Sequence, residues 1–397
     1  MNIKELTNKY IMNTYGRFDI TLVKGEGCIL YDENGKSYID FASGIAVNSL
    51  GYNNPALNAA VIDQLGKLIH VSNYFYTEPQ ALLAEKLCKN SFADKVFFCN
   101  SGAESIEGAI KLVRIYAKKF SKRGYKIISM KNSFHGRTFG ALSATGQDKY
   151  HRGFEPLLDG FTHVEFNDSN AVTELINSGS EYCAVIVEPV QGEGGVNISD
   201  KGYMRALRDL TAKNDVVLIF DEVQVGLGRT GALFAYMNFG VEPDVMTVAK
   251  PLAGGLPVGA VLARDYVARA FEPGNHASTF GGSPLVLSVA NAFFDEILKD
   301  GFMENVLKSG EYTMHRLTEL KAEFSGLIKD IRTIGLISAI EFYELKAKDI
   351  AIKLTENGFL TTAVQDRVLR LTPPLTIKKN EIDLLFLSIS EILNDNK

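Results

Sequence analysis

Apolar stretches of strand length alternate with stretches of helical period between about residues 95 and 265. The apolar stretches are KVFFCN (95–100), YKIISM (125–130), YCAVIVEP (182–189), VVLIFDE (216–222) and DVMTVAK (244–250). Continuous rather than alternating apolar residues are typical of strands covered on both faces. Between the first two stretches, Ile106, Ala109 and Val113 recur at helical spacing. We therefore predict an α/β fold built on a large, mostly parallel sheet.

The two ends of the chain have different patterns. Residues 20–41 predict a hairpin that turns at DENG. After about residue 300, two helical patterns are separated by IRTIGLISAIEF and VLRLTPP, which predicts a smaller α+β unit. No repeat or Pro/Ser-rich linker interrupts the chain, so we expect closely joined domains. The predicted division is an N-terminal segment (1–55), a large domain (56–300) and a C-terminal small domain (301–397).

Composition and charge exclude several classes of protein. With 397 residues and 46% hydrophobic content, the chain is neither a disordered segment nor a small disulfide scaffold. The 42 Lys and Arg against 47 Asp and Glu argue against partners bound through a basic surface, so we expect no nucleic acid and no membrane. The opening residues MNIKELTNKY have no apolar core of the kind found in a secretion signal, so we expect none, and no apolar run is long enough for a membrane helix.

The cysteines and histidines predict no metal site. Cys28, Cys88, Cys99 and Cys183 lie far apart without a CxxC motif, and no histidine supplies a second ligand at metal spacing. We therefore expect reduced thiols in a cytoplasmic protein.

The first candidate for chemistry is NSGAE, Asn100 to Glu104, between a buried strand and a helix. Small residues at Ser101, Gly102 and Ala103 let backbone N–H groups approach an anion at the helix N-terminus. The alternative is an ordinary serine N-cap followed by a glycine turn.

The second candidate is IFDEVQVGLGRTG, residues 219–231. Asp221 follows a buried strand, and ligands of open α/β sheets bind at the carboxyl ends of the strands. The alternative is a carboxylate that caps the next turn. Gly226, Gly228 and Gly231 also spell GxGxxG, but they do not directly close the strand and little helix follows.

The third candidate is Lys250, at the end of the stretch VEPDVMTVAK. Burial at a strand end lowers the pKa of a lysine amine and makes it a nucleophile toward a carbonyl group. Pro251 predicts an extended backbone at Lys250, so that the amine emerges at the strand end. The alternative is a surface lysine that closes a strand.

The three candidates together match the needs of pyridoxal 5'-phosphate (PLP). That cofactor requires a phosphate anchor, a partner for its ring nitrogen and an amine that accepts its aldehyde. Asp221 would keep the ring nitrogen protonated. Lys250 would bind the aldehyde and then carry a proton.

Eight motifs in order resemble the class III, or ω-, aminotransferases of fold type I, and within them the acetylornithine branch. The motifs are GEGCILYDENGKSYIDFASGIAVNSLG, NSGAE, SFHGRTFGALSATG, EPVQGEGGV, FDEVQVGLGRTG, AK, STFGG and RLTPPL. The resemblance extends nearly from end to end. It implies the fold type I PLP-dependent transferase architecture, with PLP in the large domain, and a homodimer to which the N-terminal segment contributes contacts.

The resemblance also implies cofactor contacts. Phe134 would stack on the ring, Val223 would pack on its opposite face, and Gln224 would bind near the 3-oxygen. Thr279 would reach the phosphate bound by the neighbouring subunit. The full set of implied cofactor-binding residues is Ser101, Gly102, Ala103, Phe134, His135, Glu188, Asp221, Val223, Gln224, Lys250 and Thr279.

Two arginines in the matching motifs imply how substrates bind. Arg137 resembles the residue that holds the α-carboxylate of an ornithine-type donor, with Tyr15 as a helper. Arg370 resembles the residue that receives the α-carboxylate of glutamate, and Glu193 resembles its switchable partner. A guanidinium suits this task because its planar fork donates two parallel hydrogen bonds to a carboxylate.

The expected activity is transfer of the side-chain amino group of N2-acetylornithine to 2-oxoglutarate, giving N-acetylglutamate 5-semialdehyde and glutamate, a step of arginine biosynthesis. Alternative donors are ornithine, succinylornithine, succinyl-diaminopimelate and 4-aminobutyrate. An aminomutase on the same fold would not need the switch of Glu193 and Arg370, and the presence of Lys250, Asp221 and both arginines argues against a non-catalytic regulator. The GxGxxG pattern leaves a nicotinamide-dependent oxidoreductase as the alternative from another class.

Overall fold

The computed structural model describes residues 2–396 and is a mixed α/β structure. The strands are β1 (Leu22–Glu26), β2 (Ile29–Asp32), β3 (Ser37–Asp40), β4 (Lys95–Cys99), β5 (Lys126–Met130), β6 (Phe161–Val164), β7 (Tyr182–Val187), β8 (Val190–Gln191), β9 (Asn197–Ile198), β10 (Val217–Asp221), β11 (Val245–Val248), β12 (Gly259–Ala263), β13 (Ile328–Ile334), β14 (Ile337–Phe342), β15 (Phe359–Leu360), β16 (Thr362–Val364) and β17 (Val368–Leu371). The α-helices are α1 (Ile3–Tyr10), α2 (Ser43–Ala46), α3 (Pro55–Leu65), α4 (Glu78–Lys89), α5 (Gly102–Tyr116), α6 (Phe139–Ala144), α7 (Asp148–His151), α8 (Ser169–Asn177), α9 (Lys201–Lys213), α10 (Asp265–Ala268), α11 (Pro284–Ile297), α12 (Phe302–Glu323), α13 (Ala347–Glu356) and α14 (Lys379–Asn394).

A seven-stranded sheet forms the centre of the molecule, in the order β4-β12-β11-β10-β7-β5-β6. Strand β12 runs antiparallel to both neighbours, and the other neighbouring pairs are parallel. The prediction of a mostly parallel sheet is confirmed, and all five predicted strands are present. Strands β6 and β12 were not predicted. Every residue of β7, β10 and β11 is buried, which explains why their sequences are continuously apolar.

The direction of these strands creates the edge on which the site is built. Strands β4, β5, β7, β10 and β11 all run the same way, so their carboxyl ends meet along one edge of the sheet. The segments that leave this edge begin at Asn100, Lys131, Glu188, Glu222 and Ala249. In open α/β sheets, this is the edge at which ligands bind.

The N-terminal and C-terminal parts of the chain pack together beside the large sheet. Strands β1, β2 and β3 form a meander whose second turn is the predicted DENG hairpin, and β15 adds to β3 in parallel. A second sheet has the order β13-β14-β17-β16 and is antiparallel. It carries three helices, α12, α13 and α14, where the sequence predicted two. Phe41 from the N-terminal part and Phe342 from the C-terminal part share one hydrophobic core.

The GxGxxG segment joins these units and does not form a dinucleotide site. It folds as turns in which Gly228 and Gly231 have positive φ, and a short 3₁₀ helix (Ala235–Asn238) follows instead of an α-helix. The buried Arg229 inside it donates hydrogen bonds to the carbonyl oxygens of Leu336 (2.9 Å) and Pro373 (2.6 Å). Without an α-helix N-terminus, the segment lacks the group that binds a pyrophosphate.

Candidate active site

Asp221, the last residue of β10, is buried and hydrogen-bonded through both carboxylate oxygens. Its Oδ1 accepts from the backbone N–H of Val223 (3.0 Å) and from the Thr247 hydroxyl (3.3 Å). Its Oδ2 lies 2.7 Å from Nδ1 of the buried His135. A carboxylate held in this way has its orientation fixed before any ligand binds. Within residues 2–396, Nε2 of His135 is buried without a hydrogen-bond partner.

Lys250 lies one strand away, beyond the end of β11. It begins a short 3₁₀ helix, Lys250–Ala253, and its φ is +39°, so the expectation of an extended backbone before Pro251 is wrong. The chain turns into the 3₁₀ helix directly at the lysine, and the buried residues of this turn hold the strained backbone in place. Burial of the amine lowers the pKa of Lys250, and the charge of Arg370 acts in the same direction. The lowered pKa favours the neutral amine that a nucleophile or base requires.

The segment Ser101–Ala103 lies at the N-terminus of α5. Ser101 is the N-cap, and its hydroxyl accepts from the backbone N–H of Glu104 (3.2 Å), so the alternative of a serine N-cap is confirmed, while phosphate binding at this motif stays a prediction. The first N–H groups of an α-helix have no acceptor within the helix and point toward the space before it. A Cβ at Gly102 would lie 2.7 Å from Cγ1 of Val223, so only glycine lets these two segments approach this closely.

Phe134 and Glu188 lie on neighbouring loops that leave the same sheet edge. The backbone N–H of Phe134 donates to Oε2 of Glu188 (3.0 Å). Burial raises the pKa of Glu188 well above its usual value, and the nearby charge of Asp221 adds to this effect. The Phe134 ring packs edge-on against Tyr150, with the ring centroids 5.5 Å apart.

Arg370 and Glu193 form an ion pair inside the site, rather than on the surface. Nη1 of the buried Arg370 donates to Oε1 of Glu193 (2.6 Å) and to Oε1 of Gln224 (3.1 Å). The Gln224 amide also donates to Oε1 of Glu193 (3.3 Å). Although burial acts to raise the pKa of Glu193, the charges of Arg370 and Lys250 lower it below its usual value. The carboxylate is therefore ionised and neutralises the guanidinium.

A cavity of about 410 Å³ brings most of these groups together. The sequence-predicted residues that line it are Ser101, Gly102, Ala103, Phe134, His135, Arg137, Glu188, Glu193, Asp221, Val223, Gln224 and Lys250. Arg370 reaches the same place through its contacts with Glu193 and Gln224. Arg137 is exposed at the cavity wall, with its guanidinium 4.2 Å from the centroid of the Tyr150 ring.

Two predicted site residues lie away from this cavity in the single chain. Tyr15 is 70% exposed, and its ring contacts the guanidinium of Arg17, 5.5 Å from the ring centroid. Thr279 is exposed in the loop before α11, whose N-cap is Ser283. Neither residue lines the cavity of its own chain.

Sequence reasoning did not single out Thr247 and Tyr150, which contact site residues, or the lining residues Val47, Gly136, Ala249, Gly255, Leu256, Pro257 and Val258. Thr247 pairs in register with Asp221 across β10 and β11, and it is the polar residue within the apolar run VMTV, which is a usable signal. The Tyr150 ring contacts the Phe134 ring and the Arg137 guanidinium, but nothing in the surrounding sequence distinguishes Tyr150 from other tyrosines.

The described residues fit PLP. The donor set places a helix N-terminus, a buried carboxylate and a buried amine around one cavity, with Phe134 and Val223 as its apolar walls. The absence of a side chain at Gly102 lets Val223 lie against the helix N-terminus. Within residues 2–396, no group of three or more His, Cys, Asp or Glu side chains is arranged to hold a metal ion, and none of the helices there is both long and apolar enough to cross a membrane.

Comparison with known proteins identifies the family. A family model for aminotransferase class-III matches residues 10–393. The acetylornithine aminotransferase of Caldanaerobacter subterraneus subsp. tengcongensis is 48% identical over 388 residues, which cover 98% of each chain. The structure of ornithine aminotransferase from Toxoplasma gondii ME49 superposes with a TM-score of 0.94 at 30% identity, covering 99% of this chain and 95% of that one. Acetylornithine aminotransferase from Elizabethkingia anophelis gives a TM-score of 0.88 at 31% identity, covering 99% and 98%. The chain belongs to the class III aminotransferases, a family of PLP-dependent enzymes.

Proposed function

We propose that the protein transfers the side-chain amino group of N2-acetylornithine to 2-oxoglutarate, in two half-reactions of a ping-pong sequence. The observation that carries this proposal is the ion pair of Arg370 and Glu193 beside Lys250 in the cavity. An enzyme for one type of substrate has no need of a buried arginine whose charge is masked by a movable carboxylate. An enzyme for two differently shaped substrates does.

The chain's residues prepare the site for the cofactor. PLP, when bound, supplies an electron-withdrawing ring that stabilises negative charge on the carbon next to the transferred nitrogen. The N–H groups of Gly102 and Ala103 would bind its phosphate, favoured by the dipole of α5. Asp221, oriented by Val223, Thr247 and His135, would hold the proton on the ring nitrogen.

Lys250 moves the proton. Its lowered pKa favours a neutral Nζ, which is the form that can accept a proton. With the cofactor bound, Nζ would accept the proton from the substrate carbon that loses the amino group and would donate it to the cofactor that receives this group. With 2-oxoglutarate the same atom carries the proton in the reverse direction.

The two arginines divide the recognition of substrate carboxylates. Arg137, at the cavity wall, binds the α-carboxylate of the donor; Tyr15 lies away from the cavity of its own chain and remains a proposed helper. The donor presents its side-chain amine, so its reacting end carries no carboxylate and Arg370 stays paired with Glu193. Glutamate presents its α-amine with an adjacent carboxylate. Glu193 must therefore move away so that Arg370 can bind that carboxylate.

The names of relatives support the acetyl donor. The bacterial protein named acetylornithine aminotransferase shares 48% of its residues with this chain. Ornithine is the second candidate donor, because the Toxoplasma ornithine aminotransferase has the same fold with a TM-score of 0.94. Its lower identity of 30% makes the acetylated donor the better-supported choice.

We also propose a homodimer in which Thr279 reaches the phosphate bound by the partner subunit. An exposed apolar surface near this loop supports the proposal: Tyr74, Phe75, Tyr76 and Phe280 are each more than half exposed in the single chain. Exposed aromatic patches of this kind mark interaction surfaces. All four cysteines are free thiols, which supports our proposal that the enzyme works in the cytoplasm.

Substitution of Lys250 tests the assignment. We expect Lys250→Ala to abolish turnover and to change the visible absorbance of the PLP-loaded protein, because the amine that binds the aldehyde is gone. Lys131→Ala, a change at an exposed lysine paired with Glu165, is the matched control and should keep both properties. Unchanged absorbance together with turnover of the donor by Lys250→Ala would refute the assignment.

A further inference from the structure

The segment that carries Glu193 is the tip of a short hairpin formed by β8 and β9. The amide of Gln191 donates to the carbonyl oxygen of Lys131 (2.7 Å), and the amide of Asn197 donates to the carbonyl oxygen of Gly194 (3.1 Å). A Cβ at Gly192 would lie 1.6 Å from Oε1 of Gln224, so the backbone is also packed tightly there. These contacts fix the base of the hairpin. They do not bind the main chain of Glu193 itself.

Gln365, in the C-terminal part of the chain, binds the main chain of Glu193. It lies between β16 and β17, and its side-chain amide donates to the backbone carbonyl oxygen of Glu193 (3.1 Å). The same amide donates to Oε1 of Gln147 (3.2 Å), and the Gln147 amide in turn donates to the carbonyl oxygen of Ser133 (3.0 Å), next to Phe134. Gln365 thus connects the small antiparallel sheet to two loops of the active site.

The backbone of Gln365 is in a conformation that this residue type rarely adopts. Its φ is +53°, in the left-handed region that favours glycine. Neighbouring structure must hold a non-glycine residue in this region, because the conformation is intrinsically unfavourable. The two hydrogen bonds of the side chain are the contacts that the strained position makes possible.

We propose that Gln365 is a positioning residue for the switch formed by Glu193 and Arg370. Arg370 lies on β17, the strand that directly follows Gln365. By holding the carbonyl oxygen of Glu193, Gln365 keeps the carboxylate at its 2.6 Å contact with Arg370, which is the masked state. Loss of this hydrogen bond makes Arg370 easier to unmask and shifts preference from the donor toward glutamate.

A second contact from the same sheet acts in parallel. Nε of Arg332 on β13 donates to the carbonyl oxygen of Gly195 (3.1 Å), and Arg332 is itself paired with Asp330 and Glu341. This contact lies beyond Glu193 in the hairpin. The side chain that binds the main chain of Glu193 itself is therefore Gln365. Loss of the Gln365 side chain should change the substrate preference.

The inference rests on the proposed function, and the experiment separates the two. Single-turnover absorbance measurements on the PLP-loaded protein give kcat/KM for the half-reactions with acetylornithine and with glutamate. The variants are Gln365→Met, which keeps the length of the side chain but removes the donor without adding a charge, and Gln365→Gly, which also relieves the positive φ. Lys122→Gly relieves a positive φ at an exposed position far from these contacts and is the control. Glu193→Gln tests the switch directly.

We expect both Gln365 variants to lower the ratio of acetylornithine to glutamate kcat/KM by about two- to tenfold, the effect of one neutral hydrogen bond. Lys122→Gly should match the wild type. If Glu193→Gln lowers the ratio and both Gln365 variants do not, the role of Gln365 is refuted and the switch stands. Equal losses in both half-reactions would mean a merely structural role and would also refute it. If Glu193→Gln leaves the ratio unchanged, the switch itself is wrong and the inference falls with it.

Discussion

Neutralising Glu193 without changing its shape is the sharpest perturbation of the proposed switch. In Glu193→Gln, Arg370 loses the charged partner that lies at 2.6 Å and keeps the neutral oxygen of Gln224 at 3.1 Å. A hydrogen bond to a charged group contributes about 1.5–3 kcal/mol. Arg370 then becomes available to a substrate α-carboxylate, while its uncompensated charge repels the cationic side-chain amine of the donor. The ratio of acetylornithine to glutamate kcat/KM should fall by about 10- to 150-fold.

Single-turnover absorbance with each substrate separately measures this ratio, because each half-reaction changes the spectrum of the bound cofactor. The KM for 2-oxoglutarate should fall in the same variant. Glu165→Gln, at an exposed ion pair with Lys131, is the control and should leave both values unchanged. A Glu193→Gln enzyme with the wild-type preference for its two substrates would refute the switching role of the ion pair.

Three further predictions follow from the geometry. Gly102→Ala places a Cβ 2.7 Å from Val223 and should weaken PLP binding about tenfold, as measured by an absorbance titration. Gly202→Ala is the control and should not weaken it, because nothing lies within 4 Å of a Cβ added there. Mixing inactive Lys250→Ala with Thr279→Ala should restore one intact site in each heterodimer, and no recovery of activity would exclude the shared site. Burial raises the pKa to about 12 for Cys28, Cys99 and Cys183. At pH 8 only about one in ten thousand of these thiols is ionised. Iodoacetamide should therefore alkylate the half-buried Cys88 first, and peptide mass spectrometry would show which cysteine is modified.

The large sheet could be predicted because its strands are buried on both faces. Runs such as YCAVIV have no polar residue, so they identify a covered strand without knowledge of its neighbours. Strand β6, FTHV, is largely half-buried and contains polar residues, and its sequence does not carry this signal. The position of β12 between β4 and β11 depends on pairing between residues far apart in the chain. Local patterns do not encode such pairing.

The active site could likewise be predicted only in part from the sequence. Asp221 and Lys250 follow predicted strands, so their placement at one sheet edge could be expected from the sequence. The contact between His135 and Asp221 joins residues 86 positions apart, and no spacing rule reveals it. The backbone of Lys250 departs from the preference imposed by Pro251, because tertiary packing outweighs a local conformational bias. Gln365 belongs to none of the motifs, and only the folded chain brings it to Glu193.

The proposed function is tested most directly by a coupled assay of the purified, PLP-loaded protein with 2-oxoglutarate and four donors: acetylornithine, succinylornithine, ornithine and 4-aminobutyrate. Acetylation removes the positive charge of the donor's α-amino group, which lies beside the carboxylate that Arg137 binds. The guanidinium of Arg137 contacts aromatic rings, which do not neutralise its own positive charge. We therefore predict the highest kcat/KM with acetylornithine and formation of glutamate in equal amount to the donor consumed. Equal rates with ornithine and acetylornithine, or a clear preference for another donor, would contradict the proposed function.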